Sequence, residues 1–262
     1  MRHERRFVTG VTLLPLFSPS RVELIVGGII AVLAAMLGGL SGFGASLVST
    51  PFYLLLGLPL PFIITLNLTT VAITRVSVVY RFREYLTVRR VLLLVVGSLP
   101  GVALGSWVIA NVSPTLIKRG IGGFVMIAVV LLARTMGRPA PPPIPGAPLV
   151  AGLLGGFCGA TSSINGVPPA ILLARDRVAP RSFQADLALY FVLSNLLTLG
   201  LLGWRGTFAT DAIFPTGLLW LPGSLAGNLA GTLLSTRLPD RLFRRITLAV
   251  AFLAGAITAL AA

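Results

Sequence analysis

The stretch that decides how this chain is read is GGLSGFGASLVSTP, residues 38–51. It lies in very apolar surroundings, yet it carries four glycines and three serines. A second stretch, GGFCGATSSINGVP, residues 155–168, repeats the design. The two align without a gap at a constant offset of 117. Gly38, Gly39, Gly42 and Pro51 then fall on Gly155, Gly156, Gly159 and Pro168, and Ser46 falls on Ser163. Glycine permits backbone conformations that a helix forbids, and proline removes a helical donor. Each stretch therefore reads as a broken helix or a hairpin inside an apolar layer.

The layer is a membrane. The 262 residues are 55% hydrophobic and 11% charged, with mean hydropathy +0.94, against about 25% charge in a soluble domain. Runs over 24–40, 91–110, 147–174 and 212–236 carry almost no charge, and a spanning helix needs roughly 20 apolar residues. The fold expected is an all-α polytopic membrane protein. The net charge of +14 comes almost wholly from arginine between apolar runs. That distribution is a topology signal and argues against a nucleic-acid surface. One cysteine, Cys158, and one histidine, His3, leave no disulfide, His-based metal site or catalytic triad. No cofactor or metal is expected. Residues 1–23 read as an N-terminal tail, since no small-residue cleavage site closes an apolar core there.

RTMGRPAPPPIPGAP, 134–148, cannot be a membrane helix. It divides the chain into two halves of matching layout, 24–134 and 148–262, with 135–147 as linker. Each half has a Gly-rich run, then a helix carrying polar residues (61–80; 182–203). A Pro-Gly helix follows, LPGVALG or LPGSLAG, and then a basic turn and a last helix (114–133; 239–261). This order reads as an internal duplication. Arginines follow the polar helix in the first half (Arg81, Arg83, Arg89, Arg90) but precede it in the second (Arg175, Arg177, Arg181). A bias that flips between matching loops predicts inverted repeats. Each repeat would hold a Gly-rich broken helix or hairpin plus about three spanning helices, eight to ten membrane segments in all. Two breaks could then meet near the midplane and frame a site.

The candidate site residues follow from that picture. ATSSING supplies Thr161, Ser162, Ser163 and Asn165, whose hydroxyls and amide can donate to an oxyanion without adding fixed charge. TLNLTTVAITR supplies Asn67, Thr69 and Thr70. The constant offset puts Asn67 on Gln184 and Thr69 on Asp186, with Asn195 further along the second polar helix. Asp186 is the carboxylate placed inside a span after residue 23, so it is read either as an N-terminal-turn carboxylate or as a gating or coupling group. Arg75 lies well within a span. It could snorkel, pair with Asp186, or attract an anion.

With these features the chain resembles the TauE/SafE family of sulfite exporters. The resemblance is carried by the paired Gly-rich segments ending in proline, the polar helices NLTTV and SFQADLALYFVLSN, and LPGVALG/LPGSLAG, over about residues 24–260. It implies transport of sulfite, sulfoacetate, thiosulfate or a related sulfur oxyanion across the bacterial inner membrane. Carried onto this sequence, it implicates Gly42, Gly44, Ser46 and Pro51, their partners Gly159, Thr161, Ser163 and Pro168, the LTT at 68–70, and Asn195. The family's fuller GxGGG run is reduced here to GFGAS and GATSS. The function expected is a secondary transporter, most simply an exporter, working by alternating access. Its partners would be a small anion and the lipid bilayer, and a homodimer is compatible. An anion channel and an intramembrane enzyme acting on a lipid are the alternatives. The second lacks the clustered carboxylates or His/Cys/Asp set it would need.

Overall fold

The computed structural model describes residues 19–134, 142, 144–235, 252 and 256. The tail to residue 18, most of the Pro-rich linker and the expected last helix at 239–261 fall almost wholly outside them. The described residues are helical, with no strand among them.

α1 (Arg21–Ser41) begins where a sequence-local signal tells it to. Ser20 accepts from the Glu23 N–H, and the Glu23 carboxylate accepts from the Ser20 N–H at 2.6 Å. This is a capping box. It ends at Gly42, whose φ of 84° is cheap only without a Cβ. α2 (Gly44–Leu55) starts two residues later, with Ser41 Oγ accepting from the Gly44 N–H at 2.9 Å. The chain has reversed: Gly38 faces Ala45, and Tyr53 Oη reaches back to the Gly27 carbonyl at 3.5 Å. The first Gly-rich stretch is thus a hairpin.

α3 (Leu60–Phe82) and α8 (Pro180–Trp204) are the expected polar helices, each with proline in its first turn. α4 (Val88–Asn111), α5 (Pro114–Arg134), α6 (Ala147–Ser162), α7 (Val167–Arg175) and α9 (Leu218–Leu234) complete the described helices. The run 147–174 is thus two helices. They are separated by a break in which Ser163 takes a left-handed conformation, φ 59°. α1, α3 with its 3₁₀ extension, α4 and α8 are long and apolar enough to cross a membrane; α2 and α6 are shorter apolar helices.

Three pairs dominate the packing: α1 with α9, α4 with α6, and α3 with α8. The first pair runs parallel, Gly27 meeting Trp220 and Gly39 meeting Asn228 and Thr232. The second is also parallel, Leu94 meeting Gly152 and Gly105 meeting Phe157 and Ala160. α3 and α8 run antiparallel, with Leu68 against Asn195 at one end and Val78 and Phe82 with Ala185 and Ala188 at the other. The two parallel pairs depend on glycine. A Cβ on Gly101 would collide with the Leu153 carbonyl, and one on Gly231 with the Met36 carbonyl. Backbones this close are the membrane form of helix packing by small residues. The Pro-Gly motifs are therefore packing seams.

α3 is buried along most of its length. The outer helices present Ile25 and Ile29, Leu92 and Val96, Val150 and Leu154, Leu219 and Leu229 outward. An apolar exterior around a buried polar-bearing pair is inside-out relative to a soluble protein and suits lipid.

The offset of 117 does not match these boundaries. The left-handed cap Gly42 corresponds to Ser163, one turn beyond Gly159. Counted from the starts of α3 and α8, Asn67 falls level with Leu187, not Gln184, and Arg75 falls level with Asn195. The reason is that packing against α9 and α4 sets the register of α1 and α6, whatever the local glycine pattern.

Candidate functional site

The two breaks do meet. Thr50, in the middle of α2, donates to the Ser162 carbonyl at the end of α6 at 3.1 Å and lies 3.0 Å from Ser163 Oγ. Asn67 of α3 ties the contact together. Its Nδ2 donates to Thr50 Oγ1 and Ser163 Oγ, both at 3.0 Å, and its Oδ1 accepts from Ser49 Oγ at 3.0 Å. All of these residues are buried. Pro51, beside them inside α2, frees a backbone carbonyl of the preceding turn.

A second cluster holds the other break to α8. Asn165 Nδ2 donates to Ser194 Oγ at 2.9 Å and Asn195 Oδ1 at 2.7 Å, and Asn195 Nδ2 donates to the Leu68 carbonyl of α3 at 3.1 Å. Gly166 packs so close to Phe191 that a Cβ would strike the ring, and it also faces Phe43 of the first break.

Next to the first cluster is a pocket of about 20 Å³. Its polar walls are Ser49, Asn67, Thr70 and Thr74 with Ser224 and Asn228 of α9; Ala31, Ala34, Ala35 and Ala45 complete one side. That volume holds about one water, so this conformation is closed to a sulfur oxyanion. Tyr53 and Trp220 stack at one end, centroids 5.7 Å apart, with Trp220 Nε1 donating to the Leu24 carbonyl at 3.0 Å. Ser224 Oγ is buried without a partner.

Arg75 is 2% exposed, the largest of the fully buried side chains. Its guanidinium carbon sits 5.6 Å from the centre of the Phe191 ring, Nη2 lies beside Gly38, and Nε has no hydrogen-bond partner. Among the described residues it makes no ion pair. The expected alternative of pairing with Asp186 is therefore not what is found. Asp186 is fully buried and spoken for elsewhere: it accepts from the Thr87 N–H and from Arg90 Nη1, each at 2.7 Å. Thr87 is the cap of α4, so Asp186 combines an ion pair with the positive end of a helix. Nor does Arg75 snorkel, because its side chain is sealed within the core.

The other sequence candidates divide. Thr70 lines the pocket, and Asn67, Ser163, Asn165 and Asn195 anchor the clusters. Thr161 and Ser162 turn their hydroxyls back to the Phe157 and Cys158 carbonyls of their own helix, at 2.8 and 2.7 Å. Thr69 keeps a buried hydroxyl with no partner. Gly42 caps α1 against Phe183, and Gly44 and Ser46 are buried in the first turn of α2. Gly159 receives Asn165 and Pro168 starts α7, so both shape the break without a polar side chain. Sequence reasoning missed Ser49, Thr50, Ser194, Ser224 and Asn228, and it read Thr74 as polar within a span without giving it a place in the site. Ser49 and Thr50 sit inside the opening stretch and Thr74 in the first polar one, so the signal was there. Only tertiary contact separates them from their neighbours.

No curated protein and no solved structure matches the chain significantly. A family model, Sulfite exporter TauE/SafE, matches residues 27–258, nearly the whole sequence. A membrane-buried polar core built on paired helix breaks is in keeping with a transporter, and the chain belongs to the TauE/SafE family of sulfite exporters.

Proposed function

We propose that the chain is a secondary transporter of a small anion, most simply a sulfur oxyanion or organosulfonate, exported across the bacterial inner membrane. The observation that carries this reading is the Thr50–Asn67–Ser163 cluster. There a hydroxyl from one helix break, a hydroxyl from the other and an amide of a central helix converge in the core. Such groups bind an oxyanion without fixed charge. Thr70, Asn165, Asn195 and the backbone around Gly42, Gly44, Ser46, Gly159 and Pro168 would complete the site.

Alternating access by two inverted repeats, 24–134 and 148–262, is supported by the helix directions. The matching helices α3 and α8 are antiparallel, and the pairs α1·α9 and α4·α6 are each other's counterparts. Rocking one half against the other would open the breaks to alternate sides. The Asp186–Arg90 pair, reaching from α8 to the start of α4, would be broken and remade in that motion. Export of an anion from a negative interior is favoured by about 2.3 kcal/mol per charge at 100 mV, so no further energy source is required.

The test is counterflow in proteoliposomes loaded with unlabelled sulfite, following uptake of labelled sulfite, sulfoacetate and thiosulfate. Saturable, trans-stimulated uptake is expected, reduced by Ser163→Ala and Thr70→Val. Uptake without saturation or counterflow would favour a channel. No flux of any of these anions in sealed vesicles would refute the reading.

A further inference from the structure

Among the described residues Arg75 is a buried cation with no counter-charge, and no second cation is buried beside it. Four of the seven acidic residues are engaged or placed away from it: Asp186 is committed to Arg90 and Thr87, Asp176 to Arg175, Glu23 is tied to Ser20 at an exposed helix start, and Glu84 is exposed. Sealing a guanidinium in a membrane protein with an unpartnered Nε is costly unless an anion joins it. The surroundings favour one. An atom built at the Cβ position of Gly38 would lie 2.6 Å from the Ala45 methyl, 2.9 Å from Arg75 Nη2 and 3.1 Å from the backbone nitrogen of Ala45. Ala45 is in the first turn of α2, where Ser41 Oγ accepts from the Phe43 and Gly44 N–H groups but not from that of Ala45. The first turn of that helix and the guanidinium therefore close on the same glycine, with the Ala45 methyl against it. Ala45 also lines the pocket, together with Thr74 and the unpartnered Ser224 hydroxyl. Phe191 covers the guanidinium from the α8 side.

We infer that Arg75, standing beside this pocket behind Thr74 and Ala45, is its charge receptor and selects a singly charged oxyanion, an organosulfonate or hydrogen sulfite, over dianions of similar size. This rests on the anion-transport reading and narrows it. Beside the pocket stands one full positive charge, and the counterpart of Arg75 in α8 is the neutral Asn195. A monoanion on Arg75 makes a neutral buried pair. A dianion leaves one charge uncompensated among apolar and hydroxyl groups, where desolvation penalises it. Arginine rather than lysine suits the task, because its fork meets two oxygens of one oxyanion at once.

The test compares methanesulfonate with sulfate, both tetrahedral and with fixed charges of one and two. It uses the full-length protein in proteoliposomes, with sulfite counterflow as reference. Wild type is expected to exchange methanesulfonate roughly tenfold or more faster than sulfate, a modest outcome for one uncompensated buried charge. Arg75→Gln is expected to lose the exchange, and Arg75→Lys to keep part of it along with the preference. A second readout does not depend on transport. Without anion, purified Arg75→Gln is expected to melt above wild type, since it removes an unpaired buried charge, and methanesulfonate should raise Tm only where residue 75 is cationic. Sulfite exchange with no preference for methanesulfonate over sulfate, or full exchange by Arg75→Gln, would overturn this inference and leave the transporter reading standing. Absence of saturable flux of every anion in wild type would overturn both.

Discussion

Replacing Asn67 with alanine tests the central cluster most directly. The substitution removes three hydrogen bonds, to Ser49, Thr50 and Ser163, each 3.0 Å long. The partners do not suffer equally. Thr50 and Ser163 remain bonded to each other and to the Ser162 carbonyl. Ser49 loses its acceptor and must turn back to its own helix, as serines in helices can. Interhelical hydrogen bonds in membranes average about 0.6 kcal/mol and reach about 1.7, so three predict a loss of about 2 kcal/mol, with about 5 as the ceiling. Reversible unfolding of the purified protein in mixed micelles would measure it. A double-mutant cycle with Ser163→Ala should return a coupling of about 0.6 kcal/mol. If the cluster also holds substrate, anion exchange should fall further than the lost stability explains. Unchanged stability together with zero coupling to Ser163 would show that the two breaks do not meet through Asn67.

Other outcomes follow from the same geometry. Gly101→Leu and Gly231→Leu should abolish folded protein, because each forces a side chain into a facing carbonyl, whereas Gly203→Leu, with open space around it, should be tolerated; yield of monodisperse protein in detergent is the measure. Asp186→Asn should destabilise by about 1–3 kcal/mol, less than a fully buried pair would lose, since the Arg90 side chain is 30% exposed and can rehydrate; unfolding of single and double variants would read it. In a Cys158→Ser background, cysteines at Pro59 and Ala179, which precede α3 and α8, should react with a membrane-impermeant maleimide from opposite sides. Labelling from the same side would rule out inverted repeats.

Much of this molecule was legible from its residues in order. The polar-bearing runs at 61–80 and 182–203 placed the starts of α3 and α8 to within two residues. The Gly42 break was visible because few other residues accept its backbone angle. Apolar runs between arginines announced the membrane, since neither unpaired backbone nor charge is tolerated there. These are local statements, and a sequence carries local physics directly.

Tertiary structure alone decided the rest. Asp186 and Arg90 lie on different helices of the two halves, and nothing local joins them. Whether a hydroxyl binds its own helix, as in Thr161 and Ser162, or crosses to another, as in Thr50, depends on what stands opposite. The constant offset between the glycine-rich stretches misplaced the second break by a turn, because close backbone packing on α4 and α9 sets helix register. Arg75 is the clearest case. Its position within a span was plain from the sequence. That it is sealed, unpaired and turned toward a glycine face at a helix start emerged only when helices distant in the chain closed around it, since burial and the lack of a counter-charge are properties of the assembled core.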